Sequence, residues 1–70
     1  MIDKEEIEKR FTYRTPKKGQ TQKYNELRST AKSLANDINE KCPDSREKSL
    51  ALTALEDCIF WANASIARNE

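Results

Sequence analysis

The stretch KCPDSRE, residues 41–47, decides how the rest of the chain is read. Pro43 has no amide donor and its ring clashes with the preceding turn, so a helix arriving from the N-terminal side ends by Cys42. Asp44 is followed three residues later by Glu47. That is the spacing of a capping box, in which the first side chain accepts from an early helix amide and the second reaches back. One helix therefore stops and another starts within a few residues. The product is an antiparallel helical hairpin.

The flanking patterns agree. Before the break, apolar residues fall at Tyr24, Leu27, Ala31, Leu34 and Ile38, spaced three, four, three, four, with Ala35 broadening the stripe. Thr21 is positioned to cap this helix, which is expected over residues 21–41. After the break, Leu52, Leu55, Ile59, Ala62 and Ile66 repeat the same spacing, and a second helix is expected over 44–68. Ala51 and Cys58 widen one flank of its stripe. Each helix is about 30 Å long at 1.5 Å per residue. Leu50, Phe60, Trp61 and Ala64 lie off the second stripe. Phe60 and Trp61 are adjacent, about 100° apart on a helix, and cannot both face one partner. Large aromatics left outside a hairpin point to another subunit, so a homo-oligomer is expected.

The first 20 residues are less regular. Residues 3–9, DKEEIEK, have one apolar anchor, Ile7, and read as a short helix or a frayed arm. Phe11 and Tyr13 alternate with Thr12 in an extended pattern too short for a sheet. Pro16 disfavours a helical Thr15, and Gly19 permits a tight turn, so 11–20 reads as a loop. The whole chain, 1–70, is expected to be a single all-α domain: an N-terminal segment over 1–20, then the two long helices.

The chain has 13 Lys and Arg against 12 Asp and Glu. The near balance hides a segregation. Residues 1–8 carry a net −3, residues 9–28 a net +6, and residues 29–70 a net −2. A local field of that sign favours an anionic partner. The basic run is too short for a duplex backbone, and the second helix carries Glu47, Glu56 and Asp57, so duplex nucleic acid is not an expected partner. With no histidine, no glycine-rich phosphate loop, and Glu56 and Asp57 diverging as helix neighbours, neither catalysis nor a metal or cofactor is expected. Cys42 and Cys58 can pair in an oxidising compartment. They are read here as two reduced thiols of a cytosolic protein, and no membrane span is expected.

Binding is the live chemistry. Tyr13 offers a flat face for a base. Phe11 is counted with it, and Arg14, Lys17, Lys18 and Arg28 can meet phosphates. Thr30 adds a hydroxyl two residues beyond Arg28. Each has a plainer reading. Tyr13 pins the loop to the hairpin, Arg28 pairs with a carboxylate, Lys17 and Lys18 face water, and Arg68 complements the negative end of its helix. A protein–protein adaptor, or a single-strand nucleic-acid binder, stands as the alternative to small-ligand binding.

The strings FTYRTPKKGQTQKY, CPDSREKSLALTALED and IFWANASIARNE resemble a phage family of cyclic-nucleotide sponges that defeat CBASS immunity, whose hairpin domain is shared with some anti-Thoeris proteins. The resemblance covers residues 9–70. It implies small helical proteins assembled as homohexamers, working in the host bacterial cytoplasm. They bind cyclic dinucleotides such as cyclic GMP-AMP in pockets between protomers, and many also bind cyclic trinucleotides at separate pockets, without cleaving either. Carried over by motif, the stacking aromatic is Tyr13, the basic residue of the following helix is Arg28, and its threonine partner is Thr30. Arg68 corresponds to the trinucleotide pocket. Members often have histidine after the tyrosine, where this chain has Arg14.

Overall fold

The computed structural model describes all 70 residues. It is an all-α arrangement of three helices without strands: α1 (Lys4–Phe11), α2 (Gln20–Lys41) and α3 (Arg46–Asn69). Only α2 and α3 pack extensively against each other.

α1 is short, and helices of this length are marginal by themselves. Its ends are closed instead. The Asp3 carboxylate accepts from the Glu6 amide at 2.9 Å. Glu5 and Glu6 lie in the first turn and Lys9 and Arg10 in the last, matching the helix dipole. Arg10 pairs with Glu6 one turn back at 3.0 Å. At the other end the Arg14 guanidinium donates to the Lys9 carbonyl at 2.8 Å and to the Thr12 carbonyl at 3.3 Å. These caps settle the alternative between helix and frayed arm. They also carry the helix through Phe11, which the alternating Phe-Thr-Tyr pattern had placed in extended chain. Extended backbone starts at Thr12, with φ −95° and ψ 129°.

Gly19 supplies the turn into α2. Its φ of 86° lies in the left-handed region, where a side chain is strained even though nothing stands within 4 Å of the Cβ position. α2 starts at Gln20, and Gly19 rather than Thr21 occupies the cap position, with no side-chain cap. The Gln20 amide donates instead to the Lys17 carbonyl at 3.0 Å.

At the far end, Cys42 closes α2 by donating its amide to the Ile38 carbonyl at 3.0 Å. The cap of α3 is Ser45, not the anticipated Asp44. The Ser45 hydroxyl accepts from the Lys48 amide at 3.1 Å and donates to the Pro43 carbonyl at 3.0 Å. Asp44 is drawn away by the Lys48 side chain, whose Nζ lies 2.8 Å from Asp44 Oδ1 and also donates to the Asn39 carbonyl at 2.9 Å. The Lys48 side chain is only 10% exposed. It therefore ties the last turn of α2 to the first turn of α3. Its hydrogen bond and charge hold the Asp44 carboxyl below the usual carboxylate range.

The seam between the long helices consists of half-buried Tyr24, Leu27, Ala31, Ala35 and Ile38 against Leu52, Leu55, Ile59, Ala62 and Ile66. Leu34, expected in this stripe, is 48% exposed. At 3.6 residues per turn the step from Ala31 to Ala35 keeps to the seam, whereas Leu34 rotates to its flank. Cys42 and Cys58 are free thiols and exposed, so Cys58 does not cover the flank assigned to it. α3 is long and apolar enough, by length and composition, to cross a membrane, contrary to the sequence reading. Glu56 and Asp57 lie in the middle of that helix, where charges are costly in a bilayer.

No apolar residue is fully buried, and the single buried residue is Gln20. The molecule measures 45 × 34 × 13 Å, one helix layer thick. Its radius of gyration is 15.5 Å; a compact chain of this length gives roughly 11 Å. It exposes 5976 Å², where a compact monomer of this mass exposes roughly 4,500 Å². Phe60 and Trp61 are 61% and 69% exposed. Leu50, Ala54 and Trp61 are exposed and fall on one side of α3 at spacings of four and seven residues, while Ala64 is half-buried and borders a groove shared with Tyr24 and Arg28 of α2.

The turn gives a direct test. Ser45→Ala is expected to cost about 1 kcal/mol. Glu47→Ala, which removes no hydrogen bond, is expected to stay within about 0.5 kcal/mol. Thermal melts at matched protein concentration check the order, which a capping box between Asp44 and Glu47 would reverse.

Candidate functional site

The candidate residues fall on separate parts of the surface. Tyr13 follows α1 in extended chain, and its ring is 84% exposed, with Phe11 beside it in sequence at 82%. Arg14 is half-buried and spends part of its donor set on the carbonyls that close α1. Its other N–H groups remain free to donate, because a guanidinium carries five. Lys18 is exposed and unpaired.

Arg28 and Thr30 sit on the first half of α2. Two residues apart on a helix, they are about 200° apart around its axis. Arg28 donates to Asn25 Oδ1 at 3.1 Å. It borders a groove of about 480 Å³ with Lys32, Leu52, Leu55, Glu56 and Ile59. On the same flank it meets Tyr24, Asn63 and Ala67, where the Asn63 Oδ1 is buried without a partner. Thr30 faces two other grooves, one shared with Thr21, Gln22 and Asn25, the other with Lys23, Leu27 and Ile66. Arg68 lies elsewhere again, with Trp61, Ser65 and Asn69 of α3 and Glu6 and Lys9 of α1. No cleft within one chain contains Tyr13, Arg28 and Thr30 together.

One cluster escaped the sequence reading. Gln20, only 4% exposed, joins three segments. Its Oε1 accepts from the Lys17 amide at 2.8 Å, and its Nε2 donates to the Ile66 carbonyl at 3.5 Å and to Glu70 Oε1 at 3.3 Å. Lys23 Nζ pairs with Glu70 Oε2 at 2.5 Å, and Lys17 Nζ donates to the Glu70 main-chain oxygen. Lys17, read as meeting a phosphate or facing water, is therefore a tether between the basic loop and the end of α3. The hydrogen bonds from Lys23 and then Gln20 hold the Glu70 carboxyl below the usual range. A signal for Gln20 was present. It stands four residues before Tyr24, a seam position occupied by a polar residue.

No group of three or more histidine, cysteine, aspartate or glutamate residues is placed to hold a metal. The arrangement offers hydrogen-bond donors, cations and an exposed aromatic face, which is the chemistry of anion and base recognition.

Fold and surface define a small helical-hairpin protein with exposed aromatic and basic side chains on separate parts of its surface. The chain belongs to the Acb2/Tad1, hairpin domain family, matched over residues 3–67. This is the cyclic-nucleotide sponge family that the sequence strings resemble. Neither a curated protein nor a solved structure matches the chain.

The clasp around Glu70 has a pH signature. A carboxyl whose folded pKa is depressed contributes stability that is fully present above the ordinary glutamate range and is lost as the pH falls through the folded value. The Glu70 side-chain carboxyl carbon, followed by NMR across an acid titration, is expected to titrate below the ordinary glutamate range. Lys23→Ala should bring that midpoint to higher pH, since it removes the largest cause of the depression.

Proposed function

We propose that the protein sequesters cyclic oligonucleotide second messengers, above all cyclic dinucleotides such as cyclic GMP-AMP, and so keeps host CBASS effectors inactive without cleaving the signal. It acts as a homo-oligomer, a hexamer by family resemblance, in the host bacterial cytoplasm, with pockets formed between protomers. Family membership supports the ligand class. The observation that carries the reading for this chain is the separation of Tyr13, Arg28 and Thr30 on an exposed, coreless layer. Such residues need a second protomer both to bury apolar surface and to close a site.

In this reading Tyr13 stacks on a base, with Phe11 and Arg14 alongside. Arg28 meets a phosphate through its planar fork, Thr30 hydrogen-bonds nearby, and Lys18 adds positive field. A cyclic dinucleotide has two phosphates and two bases in near two-fold symmetry. A pair of protomers presents two Tyr13 rings and two Arg28 forks around one axis, so the symmetries match. Arg68 serves a separate pocket for cyclic trinucleotides. Nothing in this scheme needs a metal, a cofactor or a catalytic group.

A second reading follows from Phe60 and Trp61, both more than half exposed. They would equally suit a hairpin adaptor that docks another protein. Native mass spectrometry with mixed cyclic di- and trinucleotides separates the two. Sequestration predicts ligand-bearing oligomers that release intact nucleotide on denaturation; bare oligomers across the panel favour the adaptor, and hydrolysed ligand would sink sequestration. Arg28→Ala is expected to weaken cyclic dinucleotide binding by roughly 10- to 100-fold, the worth of a charged hydrogen bond. Tyr13→Ala should weaken it comparably, at about 1–3 kcal/mol for a lost stacking face. Size exclusion should show both variants still assembled, and Arg68→Ala should chiefly affect trinucleotides.

A further inference from the structure

We infer that Lys23 is a further phosphate-binding residue of the dinucleotide site, and that Glu70 holds that place in the free protein as a built-in competitor. The inference rests on the sequestration reading above. Lys23 and Thr30 are seven residues apart, two helical turns, and line one groove together with Leu27 and Ile66. Lys23 thus stands on the Thr30 side of α2, opposite the flank that carries Arg28.

The geometry around Glu70 is that of an anion cradle already filled. Lys23 Nζ lies 2.5 Å from one carboxylate oxygen, and Gln20 Nε2 lies 3.3 Å from the other. Lys17 Nζ reaches the main-chain oxygen of the same residue. A carboxylate and the two free oxygens of a phosphodiester make the same demand, two acceptors sharing one negative charge. Glu26, the other carboxylate on this groove, accepts from Gln22 Nε2 at 3.0 Å and forms no ion pair with Lys23.

The exchange is feasible because the two interactions differ in environment. The Lys23–Glu70 pair is open to water, its side chains 53% and 40% exposed, so it is held weakly. A phosphate enclosed by a second protomer, with the Thr30 hydroxyl on the same wall, is screened less. When Glu70 moves off, Gln20 keeps its bonds to the Lys17 amide and the Ile66 carbonyl. The loop carrying Tyr13 therefore stays anchored while the cradle changes occupant.

Calorimetric titration with cyclic GMP-AMP tests this on the full chain, using wild type, Glu70→Gln, Lys23→Ala and the double variant. Glu70→Gln keeps an acceptor for Lys23 and removes only the charge. It is expected to bind roughly threefold to fivefold tighter, the scale of one exposed ion pair. Lys23→Ala is expected to bind roughly tenfold weaker. The double variant should match Lys23→Ala, because without the lysine there is nothing for Glu70 to compete over. Wild-type binding with no gain in Glu70→Gln, or a gain that persists without Lys23, overturns the inference and leaves sequestration standing. Absence of binding by wild type and every variant overturns sequestration and this inference with it.

Discussion

Gln20 is the only fully buried residue, and it is polar. In a larger domain that position would be apolar and the surrounding core would hold the elements in place. Here three hydrogen bonds do the holding. They join the loop after α1, the first turn of α2 and the last turn of α3 at one point. A buried amide costs several kcal/mol when unpaired and little when satisfied, so the cluster specifies one arrangement strongly while adding modest net stability. Lys48 does the same at the opposite end of the hairpin. The two long helices are thus fastened at both ends by polar side chains, with a thin apolar seam between.

That construction explains how much of the molecule was legible in its sequence. The helix break at Cys42-Pro43, the seam positions and the left-handed Gly19 follow from local chemistry, which the chain displays residue by residue. Leu34 was misplaced because the three-four repeat admits it at the edge of the stripe, about 100° around the helix from Ala35, where α3 covers only part of it. Asp44 was misassigned as a cap because its local spacing was correct. What overrode it was Lys48, a residue whose partner on α2 becomes a neighbour only after the hairpin closes. Likewise Lys17 read as a loop lysine meeting a phosphate or facing water, since Glu70 lies some fifty positions away in sequence.

The candidate site divides in the same way. Tyr13 and the charge segregation were plain from composition, and both remain exposed in the fold. Periodicity alone states that Arg28 and Thr30 point apart, and the structure leaves them on different grooves. The proposal that both meet one ligand therefore depends on a second protomer, which the sequence pattern of one chain does not display.

A layer 13 Å thick has a further consequence. With no interior, the protomer gains little by folding alone, and in the oligomer proposed above mass action would govern how much of the population is ordered at any moment. Dilute, newly made chains would sit open to proteases; concentrated ones would shield each other. The working form of such a protein would then arrive abruptly as it accumulates, giving a thresholded response to its own expression.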